Sequence, residues 1–280
     1  MRKVDDEWGK DWWFKVWGPE KLAEDGIGSR ESWVLRTNDK WHGFGNIAPG
    51  FNMLDPIKAT VITPGLDVSG KFAKTGIPAA IVTKYLAEHG IIVEKTGLYS
   101  FFIMFTIGIT KGRWNTLVAA LQQFKDDYDK NQPLWRALPE FVQGSNGRYE
   151  KTGLRELSDA IHGFYRQNDV ARLTTEMYLS AMEPAMKPSD AFARMAHREI
   201  DRVEIDKLEG RVTAVLLTPY PPGIPLLIPG ERFNRTIVQY LQFARAFNEG
   251  FPGFETDIHG LVEVRSDNRT HYYMDCVRQQ

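Results

Sequence analysis

The chain has 280 residues, which at about 150 residues per domain predicts about two domains, each able to bury its own core. Hydrophobic residues make up 42% of the chain and charged residues 25%, an ordinary composition that excludes disordered, collagen-like and coiled-coil proteins. The 36 acidic residues nearly balance the 35 Lys and Arg residues, so no strong field attracts polyphosphates, and we expect no nucleic-acid partner.

Two features of the sequence predict a cytoplasmic protein. A lone cysteine, Cys276, cannot form an internal disulfide, which favours a reducing compartment. The charged N-terminal residues contain no apolar stretch of the kind found in signal peptides. The longest apolar run, residues 101–109, is less than half of the roughly 20 residues that span a bilayer, so we expect no membrane partner.

The first half of the chain predicts a small α/β domain. Its first 55 residues are rich in Trp and show little periodicity, which indicates loops with short elements. The expected elements beyond them are a strand at 57–61, a helix from Pro78 to its cap at Gly90, strands at 91–93 and 100–107, and an amphipathic helix at 111–128. These elements can form a helix layer on a sheet.

The second half predicts another mixed α/β domain. Residues 143–147, with Gly, Ser and Asn, offer no apolar face, so we predict a linker there and domains at 1–143 and 148–280. The expected elements are helices at 154–165, 174–182, 189–199 with Ser189 as N-cap, and 237–247, strands at 203–205, 212–217 and 226–228, and a hairpin at 261–277 that turns at 266–268.

Two glycine-rich loops imitate nucleotide-binding motifs. Gly65-x-x-x-x-Gly70-Lys71 has P-loop spacing, but Phe72 stands where a magnesium-binding Ser or Thr is required. Gly43-x-Gly45-x-x-Ala48 resembles a dinucleotide fingerprint, but Pro49 and Gly50 interrupt the helix that should follow. We therefore interpret both segments as turn-rich loops.

A metal site and a local nucleophile motif are also weakly supported. Glu255, Asp257 and His259 alternate, which would place three metal-capable side chains on one face of a strand. No second His or Cys cluster lies nearby in sequence, so a solvated or structural face is favoured and no metal is expected. The remaining histidines, His42, His89, His162, His197 and His271, are isolated from one another.

Two residues remain as site candidates. Glu94 closes a β-branched run, where the end of a strand in an α/β layer often faces a ligand, although an exposed structural role is the commoner fate of such a residue. Tyr220 begins the stiff segment Tyr220–Pro225, whose prolines prevent it from extending a sheet. A rigid loop of this kind either caps a core or lines a site.

Six runs, in this order, resemble the bacterial pyridoxal-phosphate-dependent ornithine/lysine/arginine decarboxylases over nearly the whole chain. They are Trp41-His42-Gly43-Phe44, Leu54-Asp55-Pro56-Ile57-Lys58, Gly76-Ile77-Pro78-Ala79-Ala80, Val93-Glu94-Lys95-Thr96-Gly97, Tyr220-Pro221-Pro222-Gly223-Ile224-Pro225 and Phe251-Pro252-Gly253-Phe254-Glu255. The resemblance is to the later part of such an enzyme, which implies a small aminotransferase-like α/β domain followed by a mixed α/β C-terminal domain.

The resemblance also implies what the chain lacks. The family's Schiff-base lysine lies in a Ser-x-His-Lys type motif upstream of these runs, and no lysine here has that context. We therefore expect no catalytic or cofactor-binding residue in this chain, pyridoxal phosphate bound outside it, and no activity from the chain alone.

The resemblance assigns substrate contacts as well. Glu94 matches the position that recognises the far amine of the substrate, and Tyr220 matches a loop tyrosine near the active-site entrance, with a structural role equally open. In arginine-specific relatives the position that matches Glu94 looks like Thr, which disfavours arginine as the substrate. The run Val93–Gly97 followed by Tyr99 looks more like the lysine than the ornithine enzymes, so the expected substrate is lysine, giving cadaverine and carbon dioxide, with ornithine and then arginine as alternatives.

Assembly and regulation complete these expectations. Family membership implies a homodimer or higher oligomer, and a free-standing, non-catalytic assembly module is the alternative to an enzyme. Some acid-induced lysine decarboxylases bind the stringent-response alarmone through basic residues in the segment matching 124–139. This chain has Asp126 and Pro133 at the matching positions, with Arg136 basic nearby, so we expect weak or no alarmone binding.

Overall fold

The computed structural model describes residues 12–18, 30–39, 41–48, 50–220, 223–266 and 269–279. The chain divides into two compact units, Met1–Gly163 (unit 1) and Phe164–Gln280 (unit 2). Each unit contains both helices and strands, which confirms the predicted α/β class. The predicted linker at 143–147 lies inside unit 1, where it forms the end of a short helix and the turn that follows.

Unit 1 contains an antiparallel sheet with the strand order β1-β2-β4-β3. Its strands are β1 (Lys15–Val16), β2 (Lys58–Ile62), β3 (Lys95–Thr96) and β4 (Ser100–Met104). Its helices are α1 (Ala79–Glu88), α2 (Lys111–Asp129), α3 (Leu134–Ala137), α4 (Pro139–Gly144) and α5 (Leu154–Gln167), the last of which contains the division between the units. Strands β2 and β4 and helices α1, α2 and α5 all occur where the sequence predicts them.

Helix α1 shows how local signals set the elements that surround the candidate site. Pro78 is its N-cap, and Ile81, Tyr85 and Leu86 lie on its buried stripe. Gly90 adopts a positive φ of 72°, and the Ile91 N–H donates to the Leu86 carbonyl at 2.9 Å, which is the pattern of a Schellman cap. The predicted strand at 91–93 is therefore wrong, because Ile91 completes the helix cap and the chain reaches β-pairing only later.

The core of unit 1 is aromatic. The Phe14 ring lies 6.0 Å from that of Phe124, which in turn lies 5.2 Å from the Tyr85 ring. All three side chains are buried, so the N-terminal segment at 12–16 packs as part of this core and pairs with β2. A sequence stretch with little periodicity thus contributes the ordered strand β1 to the sheet.

Unit 2 holds a three-stranded antiparallel sheet, β10-β11-β6, and two strand pairs, β5-β8 and β7-β9. Its strands are β5 (Glu183–Pro184), β6 (Ile200–Glu204), β7 (Thr218–Tyr220), β8 (Glu231–Arg232), β9 (Asp257–His259), β10 (Leu261–Ser266) and β11 (Arg269–Val277). Its helices are α6 (Val170–Leu179), α7 (Pro188–Ala196) and α8 (Arg235–Gly250). The hairpin is confirmed by the pairing of Ser266 with Arg269, whereas residues 267 and 268 of its turn lie outside the described residues.

Three sequence predictions for unit 2 are wrong in detail. The strand at 212–217 is replaced by isolated bridges, because the Thr213 hydroxyl bonds both the N–H and the carbonyl of Val215 and bends the chain. The predicted strand at 226–228 is likewise only a single bridge at Leu227. Helix α7 has Lys187 rather than Ser189 as its N-cap, since Pro188 fits the first helical position, where no N–H is needed.

The lone cysteine is buried in the sheet of unit 2, and this location makes its reactivity a direct test of the fold. Cys276 lies in β11 opposite Asp201 of β6, and burial raises the pKa of its thiol to about 12. We expect a thiol-specific reagent at pH 8 to leave the native chain unmodified and to modify it fully in denaturant. Labelling of the native chain at the rate of the unfolded one would contradict this sheet.

Candidate functional site

Glu94 is exposed and lies at a bend immediately before β3. Its N–H donates to the Phe102 carbonyl of β4 at 3.0 Å, so the main chain here already follows the sheet. The expectation that Glu94 closes a strand is wrong, because the strand begins after it. None of the described residues forms a hydrogen bond or an ion pair with the Glu94 carboxylate, which is therefore available to a ligand.

The turn that follows Glu94 is firmly attached to unit 1. The Gly97 N–H donates to the Ser100 carbonyl at 2.6 Å, and the Thr96 hydroxyl donates to that of Thr83 on α1 at 3.2 Å. Tyr99, which ends the turn, is buried. The position of Glu94 is thus defined by an anchored backbone even though its side chain is exposed.

A buried histidine provides the deepest of these anchors. His162 of α5 is buried, with its Nδ1 2.6 Å from the Tyr99 hydroxyl and its Nε2 3.1 Å from the Ala73 carbonyl. A carbonyl only accepts, so Nε2 carries a proton toward Ala73, while Nδ1 forms a hydrogen bond with the Tyr99 hydroxyl. The imidazole therefore joins α5 to the turn after Glu94 and to the loop at residue 73.

Sequence reasoning left His162 as an isolated residue. The sequence signal for the anchoring role of His162 is a pair of glycines. The backbone approaches the side chains of Tyr99 and His162 closely at Gly65 and Gly76. A Cβ at Gly65 would lie 2.5 Å from the Tyr99 ring, and a Cβ at Gly76 would collide with the His162 ring. Close packing, rather than ligand binding, explains these glycines.

The loop with P-loop spacing is organised by Asp67. Its carboxylate accepts hydrogen bonds from the Ser69 N–H and the Lys71 N–H, each at 2.9 Å, and from the Ser69 hydroxyl. The Ser69 hydroxyl and then the Lys71 N–H hold the pKa of Asp67 below its ordinary value. Because these amides already bind a carboxylate of the same loop, the segment does not provide a phosphate cradle.

The loop after Trp41 is also a turn. The Phe44 N–H donates to Nδ1 of His42 at 2.9 Å, and Gly43 has a positive φ of 70°. The segment 43–48 contains no helix that could place its N-terminus against a dinucleotide. Pro49, which the sequence prediction also used, lies outside the described residues.

Tyr220 ends β7 in unit 2 and is 43% exposed. The centre of its ring lies 4.4 Å from that of His259 on the paired strand β9. Pro221 and Pro222 lie outside the described residues. Gly223 packs closely against the Tyr220 ring, since a Cβ at Gly223 would lie 2.8 Å from that ring. Glu94 and Tyr220 belong to different compact units, and each is described within its own unit.

The alternating residues Glu255, Asp257 and His259, of which the last two lie in β9, do not converge on one point. Nε2 of His259 lies 3.1 Å from the Asp257 carboxylate, whereas Glu255 accepts the N–H of Gly253 at 2.7 Å and closes a turn. In the part of the chain that the structure describes, no group of three or more His, Cys, Asp and Glu side chains is placed to hold a metal ion. Among the same residues, no helix has the length and apolar character needed to cross a bilayer.

Comparison with known proteins gives a consistent result. The family model of the Orn/Lys/Arg decarboxylase major domain matches residues 1–113, and that of the Orn/Lys/Arg decarboxylase C-terminal domain matches residues 171–278. The chain is 50% identical over 273 residues to lysine decarboxylase LdcA of Pseudomonas aeruginosa, covering 96% of this chain and 36% of the relative. It is 39% identical over 272 residues to lysine decarboxylase of Hafnia alvei, with the same coverage of 96% and 36%.

Solved structures agree with the sequence comparison. Lysine decarboxylase A from Pseudomonas aeruginosa matches with a TM-score of 0.93 and 48% identity, covering 99% of this chain and 38% of that chain. This chain therefore spans little more than a third of the length of the proteins that it resembles over almost all of its own length.

Proposed function

The chain belongs to the Orn/Lys/Arg decarboxylase family, and we propose that it is the later part of a lysine decarboxylase, which converts lysine to cadaverine and carbon dioxide. The observation that carries the proposal is the 50% identity to a lysine decarboxylase over 96% of this chain. A relative named for the same substrate, at 39% identity, adds support. Ornithine and then arginine are the alternative substrates.

In this proposal Glu94 binds the distal ammonium group of the substrate. A carboxylate is the natural partner of a primary ammonium, and a charge-assisted hydrogen bond becomes stronger in a partly dry site. Glu94 has the features of such a partner, because its carboxylate forms no ion pair with the described residues and its backbone is anchored by the β3-β4 turn. The Tyr220 hydroxyl is proposed as a second substrate contact.

The cofactor proposed for the longer enzyme is pyridoxal phosphate, which supplies an electron sink for decarboxylation. The described residues do not fit it. The amides of the glycine-rich loop at 65–71 bind Asp67 rather than a phosphate, and none of the six histidines in the sequence is followed by the lysine of a Ser-x-His-Lys motif. We therefore assign cofactor binding and catalysis to residues outside this chain, which alone should be inactive.

The rival proposal is a non-catalytic module that keeps the family's assembly surface and pairs with a complete decarboxylase or another partner. The enzyme proposal includes self-association, as a homodimer or a higher oligomer, and both proposals place the protein in the cytoplasm. The two are distinguished by the size and activity of the native protein. An antibody raised against this chain should detect a band much larger than 32.0 kDa, the mass of the chain, and the captured protein should decarboxylate lysine faster than ornithine or arginine.

A band at 32.0 kDa in the source cell would contradict the enzyme proposal and support the module. A large protein that releases carbon dioxide fastest from ornithine would instead keep the decarboxylase and change the substrate. Radiolabelled carbon dioxide release from each of the three amino acids, with added pyridoxal phosphate, measures these rates directly.

Alarmone binding provides a separate prediction. At the two matched positions, Asp126 on α2 is exposed and Pro133 precedes α3, and the basic residue Arg136 lies nearby on α3. Because an exposed carboxylate repels a tetraphosphate, we expect calorimetry on the full-length protein to detect weak binding or none. A nanomolar or low-micromolar Kd would contradict this interpretation.

A further inference from the structure

The ring of Tyr220 is held by neighbours within unit 2. Gly223 packs against it, with a positive φ of 76° and its N–H donating to the Pro219 carbonyl at 2.8 Å. The Tyr178 hydroxyl donates to the Ile224 carbonyl at 3.2 Å and ties the same loop to helix α6. These contacts hold Gly223 and Ile224 in place beside the end of β7.

The same ring also contacts a histidine that has its own hydrogen-bond partner. The Tyr220 and His259 ring centres lie 4.4 Å apart with an interplanar angle of 42°. Nε2 of His259 lies 3.1 Å from Oδ2 of Asp257, which is directly opposite Tyr220 in the β7-β9 register. The three side chains therefore form one connected set on the same face of a two-stranded ribbon.

Two hydroxyl groups on this face have no hydrogen-bond partner among the described residues. The Tyr220 hydroxyl forms no hydrogen bond with any described residue. Thr218, two residues earlier in β7 and opposite His259, is buried, and its hydroxyl has no hydrogen-bond partner in the described structure. The Thr218 hydroxyl is itself buried, so the exposed Tyr220 hydroxyl is the group of these two that can reach a polar ligand.

We propose that His259 and Asp257 form a positioning pair that holds the Tyr220 ring, so that the Tyr220 hydroxyl forms a hydrogen bond with the amino acid substrate; this inference rests on the decarboxylase function proposed above. Asp257 orients the imidazole through Nε2, and the imidazole packs against the phenol ring. Neither residue of the pair touches the substrate. The pair instead limits the directions in which the phenol hydroxyl can point, which lowers the entropy lost when the substrate binds.

The contact itself is tested on the 280-residue chain, without any assay of activity. With carbon-13 in the imidazole groups, six histidine signals are expected, and His259→Asn identifies the signal of His259. Tyr220→Leu should shift that signal by removing the ring current, whereas Tyr220→Phe should retain its position. The His271 signal serves as the control, because His271 contacts Glu204 on the other sheet.

The functional role is tested in the full-length protein. Loss of one neutral hydrogen bond is worth about 1 kcal/mol, so Tyr220→Phe should lower kcat/KM for lysine about five- to tenfold. His259→Ala should lower it by a similar factor, His259→Phe should restore most of the loss by keeping a ring beside Tyr220, and His271→Ala should have no effect. In the double variant with Tyr220→Phe, His259→Ala should cause no further loss, since the hydroxyl it positions is already absent.

Three results would overturn the inference at different points. An unshifted His259 signal in Tyr220→Leu would disprove the ring contact, whatever the activity. If the loss of kcat/KM in the double variant equalled the product of the losses in Tyr220→Phe and His259→Ala, the positioning of Tyr220 by His259 would be disproved. A full-length protein inactive toward lysine, ornithine and arginine would overturn the proposed function and with it the substrate contact, while the imidazole spectra would still report on the pair.

Discussion

Replacing Glu94 with Thr in the full-length protein should lower kcat/KM for lysine about 100-fold and leave the binding of pyridoxal phosphate unchanged. A hydrogen bond to a charged group is worth about 1.5–3 kcal/mol, and the larger value corresponds to this loss. The effect should be selective because Glu94 is exposed, so its removal leaves no buried partner behind. Steady-state kinetics and the visible absorbance of the cofactor measure the two quantities independently.

The matched control is Glu140→Gln, which removes another exposed carboxylate of unit 1, on helix α4. We expect its kcat/KM to equal that of the unsubstituted protein. Unchanged lysine turnover in Glu94→Thr would exclude Glu94 from the substrate site, and an equal loss in both variants would show that net charge rather than a specific contact is responsible.

Local sequence signals were sufficient where an element is defined by its own residues. The alternation in β2 and the apolar stripes of α1 and α8 predicted these elements to within a few residues, because their burial follows a fixed period. The predictions failed where a contact outside the window decides the backbone. The Ile91 N–H belongs to a helix cap, and the Thr213 side chain forms a turn with Val215. Both residues keep a high β-propensity, so the sequence pattern still predicts strands there.

The candidate site shows the same division. The end of a β-branched run and a stiff loop marked Glu94 and Tyr220 as candidates, but their substrate-binding roles came from the resemblance to a family, since residue type alone favours no exposed Glu or Tyr over another. The contacts that support them join distant positions, such as Tyr99 with His162, which are 63 residues apart, and Tyr220 with His259. A single sequence carries no signal for such pairs beyond the glycines that allow their close approach.

Those glycines lead to the largest effect on stability that we expect. Gly76→Ala places a methyl group against the His162 ring and 2.7 Å from the Cα of Gly65. The ring cannot move aside without loss, because it is buried and bonded to both Tyr99 and Ala73. Overpacking costs about 1–3 kcal/mol and a lost hydrogen bond about 1 kcal/mol, so unit 1 should lose about 3 kcal/mol of unfolding free energy.

Gly163→Ala is the matched control, because it adds the same methyl group one residue from His162. Gly163 lies inside α5, and a Cβ there meets nothing within 4 Å, so the substitution should raise the stability by about 0.5–1 kcal/mol through helix propensity. Urea unfolding of both variants, followed by tryptophan fluorescence, compares the midpoints. If Gly76→Ala were as stable as Gly163→Ala, the Tyr99–His162 anchor beneath the Glu94 turn would be looser than its contacts indicate, and Glu94 would not be held in one position.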